Sequence, residues 1–245
     1  VRLQAKLLFL LIASSACAPE GRVAYDLSWN LDRIEFAASG AQWEVTTDRD
    51  FRVRVDGGYI NSHSVELLPC EPEALRQMSE GQSWFVRPAA ATHLPSLNPT
   101  SFHSARVESL TDLRVRRTVQ RLAPGAAYCE AHYLIARADD ASRGLPMEMD
   151  LLGKTLYVHG AVLSADGSQV PFELVTASAN GLRVDIPELA PGTSDVVIRI
   201  ERRLGMLFDG IDFNGSASRA WTRQILANLI AATSVDVKVA GLEAS

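Results

Sequence analysis

Apolar and polar residues alternate with a period of two along most of the chain beyond residue 42. In Phe51-Arg52-Val53-Arg54-Val55-Asp56 the apolar side chains take one face and the charges the other, as a half-buried strand requires. A partner strand is predicted over 42–47, across the turn Asp48-Arg49-Asp50, and a longer strand over 59–68 that ends at Pro69-Cys70. Strands resume at 113–119 and 128–137, separated by the turn Ala123-Pro124-Gly125. After a loose link at 139–146 comes a hairpin series. The segment 154–163 turns at Asp166-Gly167 into 170–176, and Asn180-Gly181 is expected to turn that strand into 182–186. Asp-Gly and Asn-Gly suit tight hairpins because they tolerate positive φ. Pro191-Gly192 then leads to 195–201, where Val196, Ile198 and Ile200 alternate with polar neighbours.

Two stretches break this rhythm. From 71 to 104, Pro72, Pro88, Pro95 and Pro99 punctuate small and polar residues, with one short helix expected over 73–79. A connection of that length in a compact domain is functional or disordered, so it is the expected place for contact with another protein or a glycan. Near 217–232, Trp221, Ile225 and Leu229 recur every four residues, joined by Leu226 and Ile230, which predicts a helix with Ser216 as its cap. A closing strand follows at 234–239. The expected fold is all-β: an antiparallel β-sandwich or partly closed barrel with one C-terminal α-helix.

The first residues carry a different pattern. Arg2 and Lys6 lead into an apolar run over 7–13, then Ser14-Ser15-Ala16 precede Cys17. This reads as a signal peptide over 1–16. The run is short of the roughly 20 residues a permanent bilayer helix needs. Ser14 and Ala16 suit a general signal peptidase, whereas Cys17 at the following position suits a lipoprotein peptidase, whose usual aliphatic residue is replaced by Ser14. Lipidation of Cys17 is the expectation. It would hold a mature domain over 17–245 on the periplasmic face of a membrane, the outer membrane of the envelope being the expected one. A subdivision near 140–150 is the alternative to a single domain. The net charge of −5 and the lack of a basic block speak against a nucleic-acid partner. With Cys17 assigned to lipid, Cys70 and Cys129 remain as one pair in an oxidising compartment. Their bridge would close a loop of about sixty residues, worth about 4 kcal/mol.

Candidate chemistry is sparse. The chain has no nucleophile elbow, phosphate-binding glycine loop, Cys-x-x-Cys or His-Glu-x-x-His. A binding role is therefore expected, with an enzyme assembled from scattered residues as the remaining reading and no catalytic residue assigned. Imidazole suits copper and zinc, which makes His63, His93, His103 and His132 candidate ligands. His63 is expected to share a strand face with Tyr59, Val65 and Leu67, and His159 to be structural or exposed. If strands 59–68 and 128–137 pair with Cys70 opposite Cys129, His63 faces Ala136 and His132 faces Leu67. The two histidines are then about 13 Å apart along the strands. A metal set would thus combine His132 with His103 or His93 from the long loop. Asp209, Asp212 and Asn214 offer oxygens for calcium, or simply a turn before the helix.

Three stretches carry a resemblance: Gly58-Tyr59-Ile60 through Leu68-Pro69-Cys70; Pro124-Gly125-Ala126-Ala127-Tyr128-Cys129 with His132-Tyr133; and Phe208-Asp209-Gly210-Ile211-Asp212-Phe213. Together they resemble a group of bacterial envelope lipoproteins of unassigned activity, over most of the mature chain. More distantly, the order of elements is similar to copper-associated periplasmic proteins that partner di-haem enzymes. In those, copper is held by histidines and an oxidised tryptophan. The resemblance implies copper as the cofactor and a di-haem or other envelope protein as the partner. The four-cysteine pattern of those proteins is absent, and Trp29, Trp43 and Trp84 do not match the modified position.

Overall fold

The computed structural model describes residues 21–37, 42–70, 98–102, 105–147, 149–215 and 219–239. They form two facing sheets with one α-helix, and the sheets do not close into a barrel. The smaller sheet holds, in spatial order, β12 (Thr233–Val239), β11 (Val196–Arg203), β1 (Arg22–Asn30) and β6 (Arg116–Arg121). Its central pair, β1 and β11, is parallel, and its outer pairs are antiparallel. β1 lies outside the strands expected from the sequence, although Val23, Tyr25, Leu27 and Trp29 alternate into the core.

The larger sheet is organised on β4 (Arg52–Pro69), an 18-residue strand where two shorter ones were expected. β3 (Trp43–Thr46) lies along its first residues, with β2 (Ile34–Phe36) beyond, and β5 (Arg106–Ser109) pairs with Tyr59–Ser62. β4 also takes two partners in succession. β8 (Leu156–Leu163) runs along its first half and β7 (Tyr128–Ile135) along its second. Asn61 sits at the changeover, its N–H donating to Thr155 O at 2.9 Å and its Nδ2 to Ala136 O at 3.0 Å. β9 (Gln169–Thr176) extends the sheet from β8 across the expected Asp166-Gly167 turn, where Gly167 has φ +84°.

β10 (Asn180–Leu189) pairs with β7 instead of β9, so Asn180-Gly181 opens a strand and does not turn a hairpin. A Cβ at Gly181 would lie 3.2 Å from Tyr133 O, a tight contact across the pair. The helix α1 (Arg219–Ala231) packs on β9 and β10 through Thr222, Ile225, Leu226 and Leu229. An aromatic cluster that includes Phe172, Phe208, Phe213 and Trp221 fills the space beneath it. The proposed cap Ser216 and the short helix expected over 73–79 lie outside the described residues.

Two register shifts in β4 decide which residues face the core. Val53 and Val55 point inward, then a shift between Val55 and Gly57 brings Ile60 and Ser62 inward. A second shift between Ser62 and Ser64 returns the inward positions to Val65 and Leu67. Each bulge adds one residue and so exchanges the two faces. Hence Tyr59 and His63 do not share the buried face of Val65 and Leu67, which corrects the expectation from uninterrupted alternation. Tyr59 packs instead on a small second core with Val107, Ala138 and Leu151.

Ser62 points into a buried ionic network that spans the sandwich. Arg202, the last inward position of β11 after Val196, Ile198 and Ile200, forms a bidentate pair with Glu108 of β5, both contacts 2.8 Å. The two residues are 0% and 2% exposed. Arg202 Nε donates to Ser28 O at 3.3 Å, and Trp29 stacks on the guanidinium with its ring centroid 4.0 Å away. Ser62 donates its hydroxyl to Glu108, leaving Tyr133 to donate to Ser62 Oγ at 2.8 Å. Burial alone would raise the Glu108 pKa, but the charge and hydrogen bonds of Arg202 hold it below its ordinary value.

Breaking one side of a buried pair leaves an uncompensated charge. Glu108→Gln should therefore lose about 3–5 kcal/mol in urea unfolding, whereas the double variant Arg202→Met/Glu108→Leu should recover most of it. A loss below about 1 kcal/mol in the single variant would overturn this account. Because the native pKa of Glu108 is depressed, its contribution is complete above an ordinary glutamate value of about 4.3 and is lost as pH falls through the native value. Acid unfolding should accordingly be shallower in the double variant.

Candidate functional site

The sequence-predicted site residues separate in space. Cys70 and Cys129 form the expected disulfide, with Cα atoms 4.8 Å apart. The register beside it is one residue from that expected, with His132 facing Glu66 and Ala131 facing Leu67, and it shifts one residue further between Leu68 and Pro69. The bridge therefore joins residues that are not direct ladder partners, while Cys70 N donates to Ala127 O at 3.0 Å. Beside it, Asn98 Nδ2 reaches Leu67 O at 2.8 Å and Thr100 Oγ1 accepts from Leu67 N at 2.9 Å. The chain therefore leaves β4 at Cys70 and re-enters the described structure at Asn98, next to the same strand.

Of the candidate histidines, His132 lies 3.3 Å from Glu66 Oε1 and is half-buried between β4 and β10. His63 falls in the second bulge of β4, where Nδ1 is buried with no hydrogen-bond partner among the described residues. His159, half-buried on β8, stacks on Tyr157 with centroids 5.5 Å apart and lies over Gly57. His93, His103 and Cys17 lie outside the described residues. Among the described residues, no three His, Cys, Asp or Glu side chains converge as metal ligands. Trp29 and Trp43 have structural roles, the first on Arg202 and the second buried with its indole donating to Leu110 O at 2.8 Å. Trp84 lies outside the described residues.

Asp209 and Asp212 form turns. Asp209 receives both Arg33 guanidinium contacts, at 2.9 and 3.1 Å, and the Asp48 N–H at 3.1 Å. Asp48 in return accepts from Gly210 N at 2.7 Å, and Asn228 Nδ2 donates to Asp209 O at 2.7 Å. Asp212 accepts from Asn214 N and Nδ2. Protein donors already serve both Asp209 carboxylate oxygens and Asp212 Oδ1, and the motif clamps the β3–β4 turn to the approach to α1.

Two surface concavities were not anticipated. The smaller, of about 90 Å³, lies where Gly21 meets the turns 122–126 and 189–193. Both turns begin Leu-Ala-Pro-Gly, and Gly125 and Gly192 take φ of +77° and +83°. The tetrapeptide is too short to register as a repeat, yet its two copies form most of the uncharged lining of this hollow, beside the exposed Arg22–Asp195 pair. The larger, of about 210 Å³, is lined by Arg106, Arg116 and Arg143 with Tyr59, Ser109 and Asp112. Its arginines come from β5, β6 and the loop before β8, so no local motif announces them. No protein-family model, curated protein or solved structure matches the chain.

The disulfide closes a separation of 59 residues. In the chain-entropy model, its reduction, or the Cys70→Ser/Cys129→Ser change, should lower unfolding free energy by about 4 kcal/mol. Denaturant unfolding with and without reductant reads this directly, and equal midpoints would show that the bridge is not formed.

Proposed function

We propose that this chain is an exported, lipid-anchored binding module of the bacterial envelope, held near the membrane through Cys17. The observation that carries the reading is the Cys70–Cys129 bridge. Disulfides persist in oxidising compartments and are rare where thiols are kept reduced. The bridge also fastens the place from which residue 71 departs, close to where residue 98 returns. Contact with another envelope protein or a glycan is assigned to the 71–104 stretch.

The lipid reading agrees with the end of the molecule nearest Cys17. Cys17 precedes Gly21 by four positions, a reach of about 14 Å at full extension. Pro124, Gly125, Ala190, Pro191 and Gly192 are exposed at that end and carry no charge. These residues themselves bring no ion to be dehydrated against headgroups, and the exposed Arg22 and Asp195 lie beside them.

The copper or zinc reading has less support. His132 has a carboxylate neighbour, Glu66, and needs further donors from outside the described residues. Metal analysis of protein produced in the periplasm separates the two readings: one copper or zinc per chain, lost in His132→Ala, would replace the binding-module assignment with a metal-centred one.

The anchor has its own test. Cells labelled with a palmitate analogue should yield a labelled, membrane-partitioning chain, and Cys17→Ala should abolish the label and release the protein to the soluble fraction. A wild-type chain that carries no label overturns the lipid assignment.

A further inference from the structure

The larger concavity gathers three guanidinium groups. Arg106 and Arg143 are bridged as neighbours in a parallel pairing: Arg143 N donates to Ala105 O and Val107 N to Arg143 O, both at 2.8 Å. Gly144, with φ +81°, lets the loop approach β5 so closely that a Cβ there would meet Val107 O at 2.8 Å. The backbone thus holds two cations side by side, an arrangement that is unfavourable unless something compensates. Arg116 completes the set from β6.

The carboxylates nearby do not compensate fully. Asp112 pairs with Arg116 at 2.7 Å and also with Arg114 outside the lining. Glu108, two residues along the strand from Arg106, has both oxygens engaged by Arg202. Arg106 and Arg143 have no ion-pair partner among the described residues. Burial weakens the charged form of Arg106, Glu108 favours it, and the charges of Arg116 and Arg143 oppose it again. Three cations facing one carboxylate leave the cleft about two positive charges in excess.

We propose that this cleft binds a phosphate monoester between Arg106, Arg116 and Arg143. A phosphate monoester carries about −1.5 to −2 charges at neutral pH and offers three acceptor oxygens, matching both the excess charge and the number of guanidinium groups. Planar guanidinium forks suit such oxygens better than ammonium groups would. Arg116 lies five residues along β6 from Arg121, which faces Arg22 at the end near Gly21, about 17 Å of strand away. The inference deepens the binding-module reading by naming a ligand class. It does not rest on the lipid, since it needs only the folded sandwich.

Full-length protein carrying Cys17→Ala should bind inorganic phosphate saturably, one per chain, by calorimetric titration at constant ionic strength. Arg143→Gln, at an exposed position that leaves the core intact, should weaken binding at least ten-fold, and Arg116→Gln should also weaken it. Absence of saturable binding, equal affinity in wild type and Arg143→Gln, or tighter binding of acetate than of phosphate would each overturn the proposal. Vesicles identify the source of the phosphate once binding is established. Retention on phosphatidic acid in phosphatidylcholine, above phosphatidylcholine alone and lost in Arg143→Gln, assigns a lipid headgroup. Equal retention on both vesicles assigns a soluble monoester.

Discussion

The Arg202–Glu108 pair ties one sheet to the other through charges removed from water. Arg202 belongs to β11 of the smaller sheet and Glu108 to β5 of the larger, and the polar groups around them come from β1, β4 and β7. An ion pair at such depth is tolerable only when its hydrogen-bonding capacity is met. That requirement propagates into the backbone. Ser62 and Tyr133 must face inward at the height of Arg202, whereas the apolar positions on either side in β4 follow the opposite parity. The two bulges of β4 reconcile these demands, and His63 stands in the second of them. A purely apolar interface would allow small slides between sheets. The two-pronged contact crosses between the sheets, and Trp29, beside Arg202 in the smaller sheet, packs on its guanidinium.

Much of the architecture was legible because it rests on local patterns. The alternation over β3, β8, β9, β11 and β12, the Asp166-Gly167 turn and the four-residue spacing in α1 all led to elements near their observed positions. Failures occurred where one strand serves competing partners. A two-residue period cannot reveal a bulge, so β4 was divided in two and His63 was placed on the wrong face. Asn180-Gly181 has hairpin chemistry, but β10 pairs with β7, which places the dipeptide at the start of a strand. Arg202 could have been found by extending the Val196, Ile198, Ile200 series by one further step. Its partner on the short edge strand β5 has no comparable sequence signal.

The candidate sites divide in the same way. The disulfide followed from cysteine arithmetic, which needs no knowledge of register, and it formed even though the register differed by one. The histidine grouping required three-dimensional convergence, and the described histidines stand at separate points of the larger sheet. Arg106, Arg116 and Arg143 are far enough apart in sequence that only the folded chain brings them to one cleft. Composition pointed elsewhere, since the chain is acidic overall and its local positive field is invisible in a sum.

The contrast between Arg202 and Arg106 shows how the fold separates structural charge from charge available to a ligand. Both lie on strands, and both are withdrawn from bulk water to some degree. Arg202 meets a carboxylate that accepts both of its prongs, and its other donors reach Ser28, Ser62 and Tyr133. Its charge is consumed by the sandwich. In taking both oxygens of Glu108, it leaves Arg106 only the through-space charge of that carboxylate and no direct ion pair with it. The excess positive charge of the cleft is therefore a consequence of how the core is neutralised. Arg116 shares Asp112 with Arg114, whereas Arg106 and Arg143 have no ion-pair partner among the described residues and carry the proposed anion site. A stable interior and a receptive cleft then arise from one allocation of charge.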